Sequence, residues 1–193
     1  GGVINGGSIS NNTANGGGLF ATFSSTTIKN IEINENINNG SSGAGLWITN
    51  SNGLELINLN IMRNYCNYSE GSGIWVSGPA SFDNVNIMGN YTSTSNIKGA
   101  GIFLSGSTAS NFNNIIIASN DGGGIYQNNS ENESNFINTS IIGNAGPGII
   151  FKYNASINLE SVNVISNNGS IYQTLQDPGD LSNPTFGNVN IFD

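Results

Sequence analysis

The chain has 193 residues, and its polarity comes from Asn, Ser and Thr rather than from charge, because only 8% of its residues are charged. Four basic residues against twelve acidic ones give a formal net charge of −8, which argues against nucleic acid and anionic membrane as partners, since both need clustered Lys and Arg. The chain contains no His, one Cys and no run of about 18 apolar residues, so we expect no cofactor, no metal centre and no membrane span.

The first recurring element is an apolar residue followed three positions later by Asn. It occurs at Ile9/Asn12, Ile33/Asn36, Ile61/Asn64, Ile87/Asn90, Ile117/Asn120, Ile141/Asn144 and Val164/Asn167. Successive Asn residues are 24, 28, 26, 30, 24 and 23 positions apart, a spacing typical of one solenoid coil. The repeat therefore predicts an all-β, right-handed parallel β-helix of about seven coils of 22–30 residues. We expect residues 1–193 to form a single β-helix domain.

Two more apolar rows precede each of these anchors and are predicted to face the core. The row five positions earlier contains Ile4, Ile28, Leu56, Phe82, Phe112, Phe136, Leu159 and Phe186. The row two positions earlier contains Ile31, Leu59, Val85, Ile115, Thr139, Val162 and Val189. A third strand follows the Asn as a Gly-x-Gly-apolar-x-apolar element at 16–21, 43–48, 71–76, 99–104, 122–127 and 146–151.

The recurring Asn residues favour a structural role. Asn tolerates left-handed backbone conformations, and its amide both donates and accepts, so stacked copies can satisfy one another. A second Asn row lies three positions before the apolar anchor, at Asn30, Asn58, Asn84, Asn114, Asn138 and Asn188, with Ser161 in the same row. We interpret both rows as ladders rather than as sugar or metal ligands.

The middle position of the third strand is predicted to point outward, because the residues on either side of it are mainly aliphatic. The aromatic residues at this position are Phe20, Trp47, Trp75, Phe103, Tyr126 and Tyr172, with Ile150 interrupting the row. Stacked at about 4.8 Å per coil, they form an aromatic column about 30 Å long. Such a column is typical of a contact face for a glycan or a protein. The alternatives are that residues 37–42, 65–70 and 91–98 fold over it, or that it packs in a fibre.

An apolar-x-x-Asn element followed by a Gly-Gly-apolar element, as in residues 9–20 (ISNNTANGGGLF), resembles the repeats of polymorphic outer-membrane protein passenger domains. More broadly, it is similar to the right-handed β-helix repeats of adhesins and polysaccharide-degrading enzymes. The resemblance covers nearly the whole chain and implies an extracellular or cell-surface location. It indicates the fold far better than the activity.

No group of residues in the sequence indicates a catalytic site. Asp121 is the best single carboxylate, but Tyr91 and Ala145 hold its place on the neighbouring coils. Asp83 precedes Asn84 at a predicted turn. Asp177 and Asp180 flank Pro178-Gly179 without the spacing of a calcium loop. Cys66 is expected in a loop, either as a free thiol or as an intermolecular link.

The sequence thus favours a non-enzymatic structural or adhesin-like segment, part of a longer chain or a fibre subunit. Neither end shows a capping element, so we expect a homo-oligomer or filament formed by end-to-end stacking. The first alternative is a polysaccharide lyase or glycosidase of β-helix type. The second is a glycan-binding module; an ice-binding module is disfavoured because regular Thr-x-Thr rows are missing.

Overall fold

The computed structural model describes residues 2–22, 25–40, 42–67, 70–93, 101–106, 109–128, 133–152, 155–169, 171–174 and 184–192. These residues form three parallel sheets, which the chain visits in turn. The first sheet contains β1 (Val3–Ser10), β4 (Thr27–Asn34), β7 (Leu54–Met62), β10 (Ala80–Met88), β13 (Asn111–Ala118), β15 (Ser134–Ile137), β16 (Ser140–Ile142), β18 (Ile157–Ile165) and β20 (Thr185–Phe192). The second contains β2 (Thr13–Ala14), β5 (Ile37–Asn38), β8 (Tyr65–Cys66) and β11 (Tyr91–Thr92). The third contains β3 (Leu19–Thr22), β6 (Leu46–Thr49), β9 (Ile74–Ser77), β12 (Ile102–Ser105), β14 (Ile125–Asn128), β17 (Ile149–Lys152) and β19 (Ile171–Thr174).

The fold is a parallel β-solenoid, as the repeat predicts. Partners in the first sheet are 23 residues apart between β15 and β18 and 30 apart between β10 and β13, which lies within the predicted coil length. From β1 to β18 the chain makes about six turns, slightly fewer than predicted. β20 pairs with β18, and residues 175–183 between β19 and β20 lie outside the described part of the chain.

The predicted inward rows line a single core. Ile33, Leu59 and Phe136 are completely buried, and so are most of their counterparts on the other inner coils. Phe82, Phe112 and Phe136 stack with ring centroids 4.5 and 4.3 Å apart. Because like side chains lie above like, each coil buries its apolar residues against its two neighbours.

The Asn residues that follow the anchors form the predicted asparagine ladder. Both the backbone N and the Nδ2 of Asn64 donate to Oδ1 of Asn90, at 3.0 Å each, and Nδ2 also donates to the Ile33 carbonyl at 3.0 Å. The same pattern joins Asn36 to Asn64, Asn90 to Asn120, Asn120 to Asn144 and Asn144 to Asn167. Every donor and acceptor of an inner ladder amide is used.

The left-handed conformation that we expected at the ladder occurs one residue earlier. Those preceding residues are Asn11, Glu35, Arg63, Gly89, Ser119, Gly143 and Ser166, with φ between 51° and 61°. The second Asn row does adopt the left-handed conformation, with φ of 51° to 57°. The ladder thus depends on the Asn amide, whereas the second row depends on the backbone freedom of Asn.

Candidate functional site

The aromatic column forms as the sequence predicts. Residue-by-residue pairing in the third sheet places Phe20 beside Trp47, then Trp75, Phe103, Tyr126, Ile150 and Tyr172. Flanking residues such as Ile74 and Val76 point into the core, which puts the column on the outer face. The side chain of Tyr172 lies outside the described residues.

Ring geometry divides the column into two parts. Phe20 meets Trp47 edge-on at 5.0 Å and 64°, and Trp47 meets Trp75 at 5.8 Å and 86°. Phe103 and Tyr126 stack face to face at 5.1 Å and 8°. Within the described chain, the indole N–H groups of Trp47 and Trp75 are buried and have no hydrogen-bond partner, so these rings are held by packing alone.

Exposure falls sharply along the column. Phe20 is 51% exposed and the two Trp residues are half-buried, but Phe103 and Tyr126 are only 3% exposed and Ile150 is fully buried. These last three form a second apolar cluster, against which Trp75 packs. The expectation of an exposed column is therefore wrong at Phe103 and Tyr126, because the chain itself covers them. Among the column side chains that the structure describes, only Phe20, Trp47 and Trp75 remain accessible, and we call these three residues the open end.

The loop hypothesis concerns residues 37–42, 65–70 and 91–98, of which 41, 68–69 and 94–98 lie outside the described part of the chain. Residues 37–38, 65–66 and 91–92 belong to the second sheet rather than to loops over the column. On one side, the backbone of Gly71 lies near Phe103, because a Cβ added to Gly71 would lie 3.0 Å from Cβ of Phe103. On the far side, Nζ of Lys152 lies 5.7 Å from the ring centre of Tyr126.

The carboxylates considered as catalytic candidates lie apart. Asp83 is part of an outer polar row, where its Oδ1 accepts hydrogen bonds from Nδ2 of Asn113 and of Asn114 at 2.9 and 3.2 Å. Asp121 follows Tyr91 and precedes Ala145 in the row that continues from the second sheet, as predicted. No carboxylate therefore occupies this position on the two adjacent coils. Asp177 and Asp180 lie outside the described residues.

Cys66 is completely buried and does not lie in a surface loop. It occupies the inward position of β8, in line with Asn38 and Thr92. The thiol therefore cannot form an intermolecular disulfide while the solenoid is folded.

Sequence reasoning missed a second aromatic surface, on the outer face of the second sheet. The residue directly after each ladder Asn points outward there, and the row includes Ile37, Tyr65 and Tyr91. Ile37 is 37% and Tyr91 43% exposed, and the two tyrosine rings lie 4.9 Å apart. The signal that could have found it is the position itself, one residue beyond the ladder.

Comparisons with protein families, curated proteins and solved structures find no match to this chain. The resemblance to polymorphic outer-membrane protein repeats therefore stays an expectation, while the β-helix architecture behind it is shown. In the part of the chain that the structure describes, no three His, Cys, Asp or Glu side chains converge as a metal site would require. None of the described segments forms a helix of the length and hydrophobicity needed to cross a bilayer.

Proposed function

We propose that this chain is a non-enzymatic structural or adhesin-like solenoid segment at the cell surface or outside the cell. Its contact face is the open end of the aromatic column, where Phe20, Trp47 and Trp75 face a protein or a glycan. The observation that supports this most is the presence of three adjacent, partly exposed aromatic rings on the outer face of one sheet. Such rings bury a large area at low entropic cost when a partner covers them.

Binding of the fluorescently labelled chain to intact cells and to a printed glycan array tests the contact face. We expect Phe20→Ser, and Trp47→Ala combined with Trp75→Ala, to reduce binding at least tenfold. Ile116→Ser is the matched control, because Ile116 is 41% exposed on the first sheet, away from the column. Absence of a target, or an equal loss in the control, would contradict the proposal.

The absence of enzymatic activity is tested separately. A glycosidase needs two carboxylates about 5 to 10 Å apart, and in the described chain Tyr91 and Ala145 flank Asp121 along its row. We expect no bond cleavage when the purified chain is incubated with a panel of polysaccharides. Cleavage that disappears in Asp121→Asn would show that the protein is an enzyme.

End-to-end stacking is the second part of the proposal. Ile4 on the first coil is 46% exposed and Phe186 on the last is 54% exposed, whereas Leu56 and Phe136 of the same row are completely buried. A further coil of the same polypeptide or of a second copy would bury these residues and pair the strand edges. Electron microscopy of the concentrated chain should show fibres of solenoid width, and dispersed rods alone would refute self-assembly.

A further inference from the structure

The outward-pointing row that begins on the second sheet continues past Tyr91, but its side chains become much shorter there. Asp121 and Ala145 occupy the next two coils, and backbone hydrogen bonds of 2.9 Å to Asn90 and Asn120 hold each in line with the residue before it. Along this row, the ring of Tyr91 is followed by the short side chain of Asp121 and then by the methyl group of Ala145. Neighbouring coils lie about 4.8 Å apart. We call this arrangement the Tyr91 step, formed by Tyr91, Asp121 and Ala145.

One face of the Tyr91 ring is occupied, and among the described residues no second ring contact covers the other face. Tyr65 packs on the first face, with centroids 4.9 Å apart and planes inclined by 37°. The opposite face looks toward the coil of Asp121, whose side chain is too short to cover the outer half of the ring. This explains why Tyr91 is 43% exposed whereas Tyr65 is half-buried.

The side-chain polar groups of Tyr91 and Asp121 differ from their neighbours in their hydrogen bonding. The Tyr65 hydroxyl donates to Oδ1 of Asn67 at 2.9 Å, and Asp83 accepts two amide hydrogen bonds on the first sheet. Within the described part of the chain, the Asp121 carboxylate and the Tyr91 hydroxyl have no such partner. An exposed carboxylate beside an open aromatic face can accept hydrogen bonds from two neighbouring hydroxyl groups of one ligand.

The negative charge of the chain and of Asp121 disfavours an anionic ligand at this site. Of the basic residues that the structure describes, Arg63 lies two positions before Tyr65 of this row, and its guanidinium forms an ion pair with Glu35 at 3.0 Å. The chain carries a formal net charge of −8, and Asp121 adds a negative charge within the step itself. A uronate or a sulfated sugar would be repelled, whereas an uncharged sugar would not.

We propose that the Tyr91 step binds an uncharged hexopyranose. The C–H face of the sugar stacks on the open face of Tyr91, two adjacent hydroxyls donate to the Asp121 carboxylate, and Ala145 leaves room for the ring. This site begins at Tyr91 on the second sheet and continues along the same row to Asp121 and Ala145. It is separate from the open end of the aromatic column, so either can exist without the other.

Saturation-transfer NMR with maltohexaose, cellohexaose, mannohexaose and chitohexaose tests the site, with hexagalacturonate as the anionic comparison. We expect at least one neutral hexasaccharide to bind and hexagalacturonate not to bind. Tyr91→Ala should abolish binding, Asp121→Ala should weaken it about tenfold, and Tyr91→Phe should stay within threefold of the parent chain.

Ile37→Ala is the matched control, because Ile37 is an exposed residue of the same row two coils away. It should leave binding unchanged. Circular dichroism should show that all variants remain folded. The proposal is overturned if no neutral hexasaccharide binds, if hexagalacturonate binds better, or if binding survives Tyr91→Ala. Binding that instead requires Trp75 would overturn this site while supporting the open end of the column.

Discussion

At the residue scale, the asparagine ladder shows why a short polar side chain can be buried in the core of a solenoid. Asn36, Asn64 and Asn90 are completely buried, yet each amide N–H and carbonyl oxygen is hydrogen-bonded. An unpaired buried polar group costs about 1–3 kcal/mol, so the arrangement is stable only as a continuous row. Asp would lose the donor, and Leu would lose both donor and acceptor.

Replacing Asn90 by Ala should therefore destabilise the chain strongly. The substitution leaves the backbone N and Nδ2 of Asn64 without their acceptor. It also removes one of the two donors to Oδ1 of Asn120, which keeps the hydrogen bond from the backbone N of residue 90. We expect the free energy of unfolding to fall by about 3 kcal/mol or more. Urea denaturation followed by circular dichroism measures the change.

Asn12→Ala provides the matched comparison, because Asn12 is the exposed first member of the ladder and its amide bonds only to Asn36. We expect a loss of about 1 kcal/mol there. Equal losses at the two positions would mean that the ladder does not depend on burial.

Two glycines should respond differently to Ala for separate physical reasons. A Cβ on Gly73 would lie 2.6 Å from the Gly101 carbonyl oxygen and 2.7 Å from Cγ2 of Ile87, so Gly73→Ala should cost about 3 kcal/mol through overpacking. Gly89 has φ of 61°, and a Cβ there would make only an ordinary contact of 3.7 Å with Cγ of Arg63, so Gly89→Ala should cost only about 1 kcal/mol of backbone strain. Thermal unfolding of both variants would reveal the order, and a larger loss at Gly89 would contradict it.

The sequence predicts these residue roles unevenly. The ladder is predictable because Asn recurs once per coil, and its amide can both donate to and accept from the copies on the neighbouring coils. The left-handed position before it is harder to predict, since Glu35, Arg63, Gly89 and Ser119 all occupy it. At that position the backbone is set by the turn, and the side chain projects into solvent with little constraint on its type.

At the element scale, the aromatic column shows what strand periodicity can and cannot establish. Alternation along β12 and β14 correctly places Phe103 and Tyr126 on the outer side of the third sheet. It cannot show whether other parts of the chain lie over that side, because this depends on connections whose sequences do not repeat. The outer row is therefore exposed at Phe20 and becomes a buried cluster from Phe103 to Ile150.

The two ends of the column should differ in stability when truncated. Phe103→Ala removes a ring that is 3% exposed and should lower the free energy of unfolding by about 3 kcal/mol. Phe20→Ala removes a ring that is 51% exposed and should cost about 1 kcal/mol or less. Guanidinium titrations of both variants give the comparison. A near-neutral Phe103→Ala would show that this end is open to solvent after all.

At the scale of the whole molecule, the solenoid is a stack of coils in which each coil contacts only its neighbours. Stability is then close to a sum over coils and the interfaces between them. The variable coil length, from 23 to 30 residues, is absorbed between the strands, since the ladder and the core rows stay in line throughout. The sequence predicts this because the rows repeat, and it misjudges only the number of turns that the described residues complete.

One complete coil should therefore be removable. Ile116 pairs with Ser140, so deleting residues 116–139 joins Ile115 to Ser140 and removes 24 residues, the local repeat length. The fused strand keeps its inward row, and the ladder then runs from Asn90 to Asn144. We expect a folded chain with a lower free energy of unfolding, because one interface between coils is lost.

A deletion shorter by one residue is the control. Removing residues 116–138 retains Thr139 between Ile115 and Ser140, so Ile141 would turn outward or the strand would have to bulge. Circular dichroism and urea denaturation should show that this variant is less stable than the 24-residue deletion, although it retains more of the chain. If the two deletions unfold alike, the side-chain rows do not set the register of the coils. A cooperative transition in the 24-residue deletion alone would instead show that the stacked rows, and not the connecting segments, specify how the coils pair.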